Sequence, residues 1–245
     1  MTDRSTILRE MGLTPIWSLR GAAPPSSDVI AQPHRVAQVA VEAPLAQIEP
    51  PALPDPDRAT RIAAMSWDEL IASISHCTAC TLSTTRNKTV PGAGDRAPAW
   101  MVVGEAPGEN EDKQGEPFVG KAGQLLDAML LAVGKKRTNG TFITNVIKCR
   151  PPGNRNPEAD EIAACAPYLK RQIELASPKL LLAAGKFAAQ TLLSRDDTVA
   201  AMRAAGGHFA GIPVVVTYHP AYLLRSPLEK SKTWDDLMKA RALVA

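Results

Sequence analysis

The sequence predicts an α/β fold: a single three-layer domain with a central, mainly parallel four-stranded sheet flanked by helices, preceded by a disordered N-terminal tail. Three observations lead there. Short aliphatic or β-branched runs alternate with amphipathic stretches through the body of the chain, the pattern of strands joined by crossover helices. Apolar residues make up 45% of the chain but aromatics only 4%, so the core is aliphatic and alanine-rich. Nine of the 21 prolines fall in residues 1–57, which sets that stretch apart from the rest.

The boundary is placed at 57/58. Residues 21–57 hold Pro-Pro twice, many alanines and no helical period. Such a segment cannot bury enough surface to offset the entropy of ordering it. Within the tail, Ile7, Leu8, Met11, Leu13, Ile16 and Trp17 make an apolar cluster over residues 5–20. It suits a docking peptide for a protein partner, or a short helix folding back on the body.

In the body, residues 61–75 carry the helical period. Residues 100–103, Trp-Met-Val-Val, form the first strand. Residues 122–133 place Leu125, Leu126, Met129, Leu130 and Val133 on one helical side. Residues 141–143, Thr-Phe-Ile, are β-branched or aromatic and form a strand. Residues 157–176 follow as a helix with Pro157 in its first turn. Residues 180–184 are a buried strand and 185–193 a helix. Residues 213–217 are the fourth strand, and 228–244 a closing helix. No internal repeat is visible.

Composition removes several classes. No apolar run approaches the roughly 18 residues needed to cross a bilayer, and the opening Met-Thr-Asp-Arg-Ser lacks the build of a signal peptide. A cytoplasmic monomer without membrane attachment is expected. Residues 1–57 hold four Lys/Arg against seven Asp/Glu, a net of −3, leaving 24 against 18 in residues 58–245, a net of +6. A basic body suits a polyanionic partner.

Ligands of such sheets bind beyond the carboxyl ends of the strands. There the sequence places Gly104-Glu-Ala-Pro-Gly108 after the first strand and Thr144-Asn145 after the second. Gly185-Lys186 follows the third, and Tyr218-His219-Pro220 the fourth. A glycine-rich loop, an amide and an imidazole therefore share one edge, with His219 expected in an exposed loop. The loop lacks the Lys-Ser/Thr ending of a nucleotide P-loop, which argues against ATP.

Cys77 and Cys80 form a C-x2-C pair, and Cys149 and Cys165 are separated by 15 intervening residues in the body. Such a set suits a tetrahedral zinc ion or an iron–sulfur cluster. Spacing alone does not separate the two, although the wide second pair leans toward iron and sulfur.

The body resembles the family 4 uracil-DNA glycosylases, the iron–sulfur type. The resemblance rests on Gly104-Glu-Ala-Pro-Gly-Glu109, Gly115-Glu-Pro-Phe-Val-Gly-Lys-Ala-Gly123, Thr144-Asn-Val-Ile-Lys-Cys-Arg-Pro-Pro152 and His219-Pro-Ala-Tyr-Leu-Leu-Arg225, and covers about residues 70–245. It implies a [4Fe–4S] cluster on Cys77, Cys80, Cys149 and Cys165. It also implies excision of uracil from single- or double-stranded DNA, leaving an abasic site. The motifs assign the uracil pocket to Gly104, Glu105, Ala106, Phe118, Asn145 and His219.

The residue types suit that chemistry. A base must leave the stack to be reached; Phe118 offers a stacking face, Asn145 an amide for O4 and N3–H, and His219 a donor to O2 as charge develops there. Ala106 and Gly108 stand where family 1 enzymes carry an aspartate and a tyrosine, so Glu111, then Glu105, are the candidates to position water. Arg225 with Leu223 and Leu224 are candidates to wedge the duplex or hold phosphate, with Arg150, Arg155 and Lys186 as further phosphate contacts. The stretch from Arg150 to Pro157 has no histidine, the residue some relatives use for a covalent link to DNA, so turnover is expected. A cluster-bearing nucleic-acid-binding module without catalysis is the competing reading.

Overall fold

The computed structural model describes residues 56–244. The expected tail and its 5–20 segment lie outside the described residues, apart from Pro56 and Asp57, which open the first helix. Among the described residues no helix is long and apolar enough to cross a membrane.

Helix α1 (Pro56–Ala64) and helix α2 (Trp67–Ser75) occupy the stretch expected as one helix. The break lies at Ser66, whose backbone N–H and hydroxyl both donate to the Glu69 carboxylate at 2.8 Å. A serine three residues ahead of a glutamate starts a new helix rather than continuing the old one. Ile62, Leu70 and Ile74 of this pair pack on Tyr168.

The body follows as β1 (Ala93–Gly94), β2 (Trp100–Gly104), α3 (Glu109–Gln114), α4 (Lys121–Ala132), β3 (Thr141–Asn145) and α5 (Ala159–Ala176). Then come β4 (Leu180–Ala184), α6 (Lys186–Leu193), α7 (Val199–Ala205), β5 (Gly207–Phe209), β6 (Ile212–Thr217), α8 (Pro220–Arg225) and α9 (Lys230–Leu243). Pro157 precedes α5 rather than lying in its first turn. Glu158 caps that helix, its N–H donating to Glu161 at 2.8 Å.

The strands form one sheet in the order β1-β3-β2-β4-β6-β5. The four central strands are parallel, as expected, but the sheet has six strands. β1 pairs antiparallel with β3, and β5 with β6. Both edges are short and glycine-bearing, with little side-chain pattern to announce a strand.

Side chains of the central strands alternate between faces. Met101, Val103, Leu181, Ala183, Val214 and Val216 pack with Leu169 and Ile173 of α5 and Leu192 of α6. Trp100, Val102, Leu180, Leu182 and Val215 pack with Leu126 and Leu130 of α4 and Leu237 of α9. Three layers result, and all four parallel strands end on the same edge. Pairing carries the backbone past the strand ends. Val146 and Ile147 N–H donate to Gly104 and Glu105 carbonyls at 2.9 and 3.2 Å, and Gly185 N–H to Thr217 carbonyl at 2.9 Å. These bonds seat the β2 loop beside Asn145 and Gly185 beside the segment leading to His219.

Candidate active site

A cavity of about 620 Å³ opens on that edge, within the size range of small-ligand sites. Glu105, Ala106, Gly108, Glu111, Phe118, Asn145, Lys186, Tyr218, His219, Tyr222 and Arg225 all line it. The four strand-end segments singled out in the sequence therefore meet around one space.

Asn145 ends β3 opposite Gly104 in the parallel register. Its residue is 1% exposed, and its side-chain oxygen is buried with no hydrogen-bond partner. An orphaned buried amide oxygen costs about 1–3 kcal/mol unless a ligand meets it. Its backbone is fixed by Lys148, whose buried ammonium donates to the Asn145 carbonyl at 2.6 Å and the Thr144 hydroxyl at 2.7 Å. Burial brings the Lys148 pKa down to about 8.

Gly104 must be glycine. A Cβ there would lie 2.6 Å from Phe118 Cζ and would also collide with the Asn145 side-chain oxygen. Phe118 sits at φ 55°, in the left-handed region that strains a bulky residue. The Arg137 guanidinium holds it there, donating to the Pro117 and Phe118 carbonyls at 2.7 and 2.8 Å. Phe118 stacks on the imidazole of His219, centroids 5.5 Å apart and planes inclined 30°.

His219 is not in an exposed loop; it is the partly buried N-cap of α8. The Ala221 backbone N–H donates to its Nδ1 at 3.2 Å. A backbone amide can only donate, so Nδ1 is the acceptor and Nε2 carries the proton. Burial, with a smaller push from Arg225, lowers the His219 pKa to about 4, so the ring is neutral at physiological pH.

The two carboxylates differ. Glu111 accepts from Gly108 N–H at 3.1 Å with one oxygen and from Val119 and Gly120 N–H at 2.9 and 3.2 Å with the other. It ties the loop after β2 to the loop that carries Phe118, so both oxygens of the first-choice candidate for positioning water are engaged by backbone donors. Glu105 makes no side-chain hydrogen bond among the described residues, and burial raises its pKa.

On the α5 side of the sheet, Cys77, Cys80, Cys149 and Cys165 line one small cavity. Arg86 donates to Cys149 Sγ at 3.2 Å and Arg58 to Cys77 Sγ at 3.6 Å. Burial pushes the Cys165 thiol up to about 12, and the Cys80 and Cys149 thiols upward as well. Among the described residues no three His, Cys, Asp or Glu side chains form a ready group for a single metal ion.

Residues 91–238 match the model of the uracil DNA glycosylase superfamily. Type-4 uracil-DNA glycosylases of Sulfurisphaera tokodaii and Pyrobaculum aerophilum are 40% and 41% identical to this chain, over 73% and 71% of its length and 84% and 92% of theirs. One from Thermotoga maritima is 38% identical over 70% of this chain and 91% of its own. The chain belongs to the type-4 uracil-DNA glycosylases.

Not every DNA-facing residue expected of this uracil-DNA glycosylase lies at the pocket mouth. Leu223 is fully buried in the core and cannot wedge a duplex, whereas its neighbour Leu224 is 44% exposed. Arg155 lines the cavity, but its fork is bound to Glu161 at 2.6 and 2.9 Å. It therefore anchors the loop that carries it. Arg150 donates to Asn154 at 2.7 Å within the same loop. Lys186 and Arg225 are exposed and line the cavity.

Sequence reasoning passed over two supports of the glycosylase site. Asp112 is buried and accepts from the backbone N–H of Asn87 at 2.9 Å and from the Asn87 side chain. Arg86, next in sequence, reaches Cys149, so this short stretch joins the cysteine cavity to α3. The second support is Arg137. In the sequence it is one more basic residue in a loop.

Proposed function

We propose that the cavity takes a uracil turned out of a DNA strand and that its walls hydrolyse the N-glycosidic bond, leaving an abasic site. The observation that carries this reading is the pairing of an unsatisfied, buried Asn145 amide with a neutral His219 whose tautomer is fixed. An amide presenting one donor and one acceptor matches uracil O4 and N3–H. Cytosine shows the opposite pattern, which the same amide would meet if turned over; Gly104 and Phe118 close against this side chain.

Phe118 offers its face to the ring. As the C1′–N1 bond breaks, its electron pair moves onto the base, and His219 Nε2–H donates to O2 as that charge grows. Glu105 is the carboxylate near the forming sugar cation with capacity to hold a water; the water oxygen bonds to C1′ and its proton leaves to the departing base or solvent. Glu111 keeps the two loops in register.

The four thiols fit an iron–sulfur cluster. They are soft donors facing one cavity, and two guanidiniums aimed at their sulfurs offset the negative charge such a cluster brings. A [4Fe–4S] cluster held by Cys77, Cys80, Cys149 and Cys165 would tie α2, the segment after β3 and α5 together. Its role in this reading is structural.

Residues 1–57, of which the last two open α1, are proposed as an appendage to the catalytic domain of residues 58–245, and the apolar 5–20 segment as a docking site for a protein. The domain would work as a monomer in the cytoplasm. Removing residues 1–55 should leave activity largely intact, and a large loss would contradict this division.

The reaction is tested by its products. Incubation with an oligonucleotide bearing one uracil should release free uracil and leave a strand that breaks only after alkali. Strand breakage without alkali, or a persistent covalent complex, would contradict simple hydrolysis.

A further inference from the structure

The rim of the cavity on the α8 side is aromatic, and uracil recognition leaves that rim unused. Tyr218 and Tyr222 flank His219 in sequence, with ring centroids 5.2 Å apart and planes inclined 37°. Tyr218 is braced from behind by Arg203, whose guanidinium carbon lies 4.7 Å from the ring centroid. Arg203 is itself immobilised. It donates to both oxygens of buried Asp236 at 2.8 Å and to the Lys232 carbonyl at 2.8 Å. Tyr222 rests against this fixed ring and is 37% exposed at the cavity. Arg225, three residues along α8, and Lys186 supply exposed positive charge to the same opening.

A rigid, partly exposed aromatic with cations beside it is the composition of a stacking platform for unpaired bases. Its place matters. When a base swings into the cavity, its neighbour in the strand loses a stacking partner at the cavity's mouth. A neighbouring base in a duplex remains held by its pair, whereas in a single strand it is free to splay toward the rim.

We propose that Tyr222, braced through Tyr218 by Arg203, stacks on a base adjacent to the excised uracil, and that the substrate this rim suits is single-stranded DNA. The inference rests on the uracil-excision reading of the same cavity. One base stacked on one aromatic corresponds to an affinity gain of about tenfold.

The test measures Kd by fluorescence anisotropy for two single strands, each bearing one 2′-fluoro-deoxyuridine that resists cleavage. One strand has normal flanking bases; in the other the flanking positions are abasic. The wild-type protein should bind the base-flanked strand about tenfold more tightly. Tyr222→Ala should bind both alike, and Tyr222→Trp should restore the difference. A Tyr222→Ala protein that keeps the wild-type preference, even with weaker binding overall, would overturn the proposal, as would a wild type with no preference. A wild type that releases no uracil from an unmodified strand defeats the excision reading and this proposal with it. Wild-type cleavage with an unaltered Tyr222→Ala preference defeats this proposal alone.

Discussion

Phe118 and His219 stack at 5.5 Å although 100 residues separate them in the chain. The contact joins the loop clamped by Arg137 to the cap of α8, so the proposed uracil-stacking face and the proposed O2 donor are positioned by one another. Replacing His219 by Ala removes the donor and the ring that backs Phe118. We expect kcat to fall about 100- to 1000-fold, the range for loss of one preorganised donor. Single-turnover cleavage of a uracil-containing strand measures it, and a loss under fivefold would remove His219 from this role.

Gly104 gives the most local test of the pocket. Gly104→Ala should push Phe118 and the Asn145 side chain aside and lower kcat/KM by about 100-fold, with little change in fold. Asn145→Asp should also abolish uracil excision, because an ionised carboxylate repels O4. Circular dichroism and cleavage kinetics, measured together, separate this from unfolding.

Glu105 and Glu111 should fail in different ways. Glu105→Gln should lower kcat by about 100-fold or more with KM nearly unchanged. Glu111→Ala leaves three backbone N–H groups without their acceptor and should cost about 3 kcal/mol of stability. Urea unfolding alongside kinetics reads both. A Glu111 variant that keeps full stability but loses only kcat would restore it as the group that positions water.

The pH dependence follows from His219. Its folded-state pKa is lowered to about 4 from 6.5, so below 6.5 the unfolded chain binds the additional proton. Stability should therefore fall as pH drops from 6.5 toward 4 and be independent of this group above 6.5. Comparing wild type with His219→Asn isolates the contribution, and the difference should change by about 2 kcal/mol between pH 7 and 5. A constant difference across that range would show that the imidazole is not held neutral.

The cysteines predict colour. Purified protein should be brown with broad visible absorption, and Cys165→Ser should lose both the absorption and thermal stability. A colourless protein carrying stoichiometric zinc would contradict the cluster.

The parallel centre of the fold was legible in the sequence because its strands are uninterrupted aliphatic runs, Leu180–Ala184 above all. The antiparallel edges were not. Ala93–Gly94 and Gly207–Phe209 become strands only because β3 and β6 offer free edges. Helix α3 is wholly polar and α8 only six residues long, so neither carries a hydrophobic period. Asn145 and His219 were visible as polar residues at strand ends. The binding of Glu111 to Val119 and Gly120, the pairing of Arg155 with Glu161, and the Arg203–Tyr218–Tyr222 stack are tertiary, and residue type alone did not forecast them.

The most direct test of the central claim is a cleavage assay on matched strands differing only in one base, uracil or cytosine, followed by alkali. The wild-type protein should break the uracil strand at that position and spare the cytosine strand, and His219→Ala should slow the break at least 100-fold. Intact uracil strands after prolonged incubation with brown, folded protein would contradict the account.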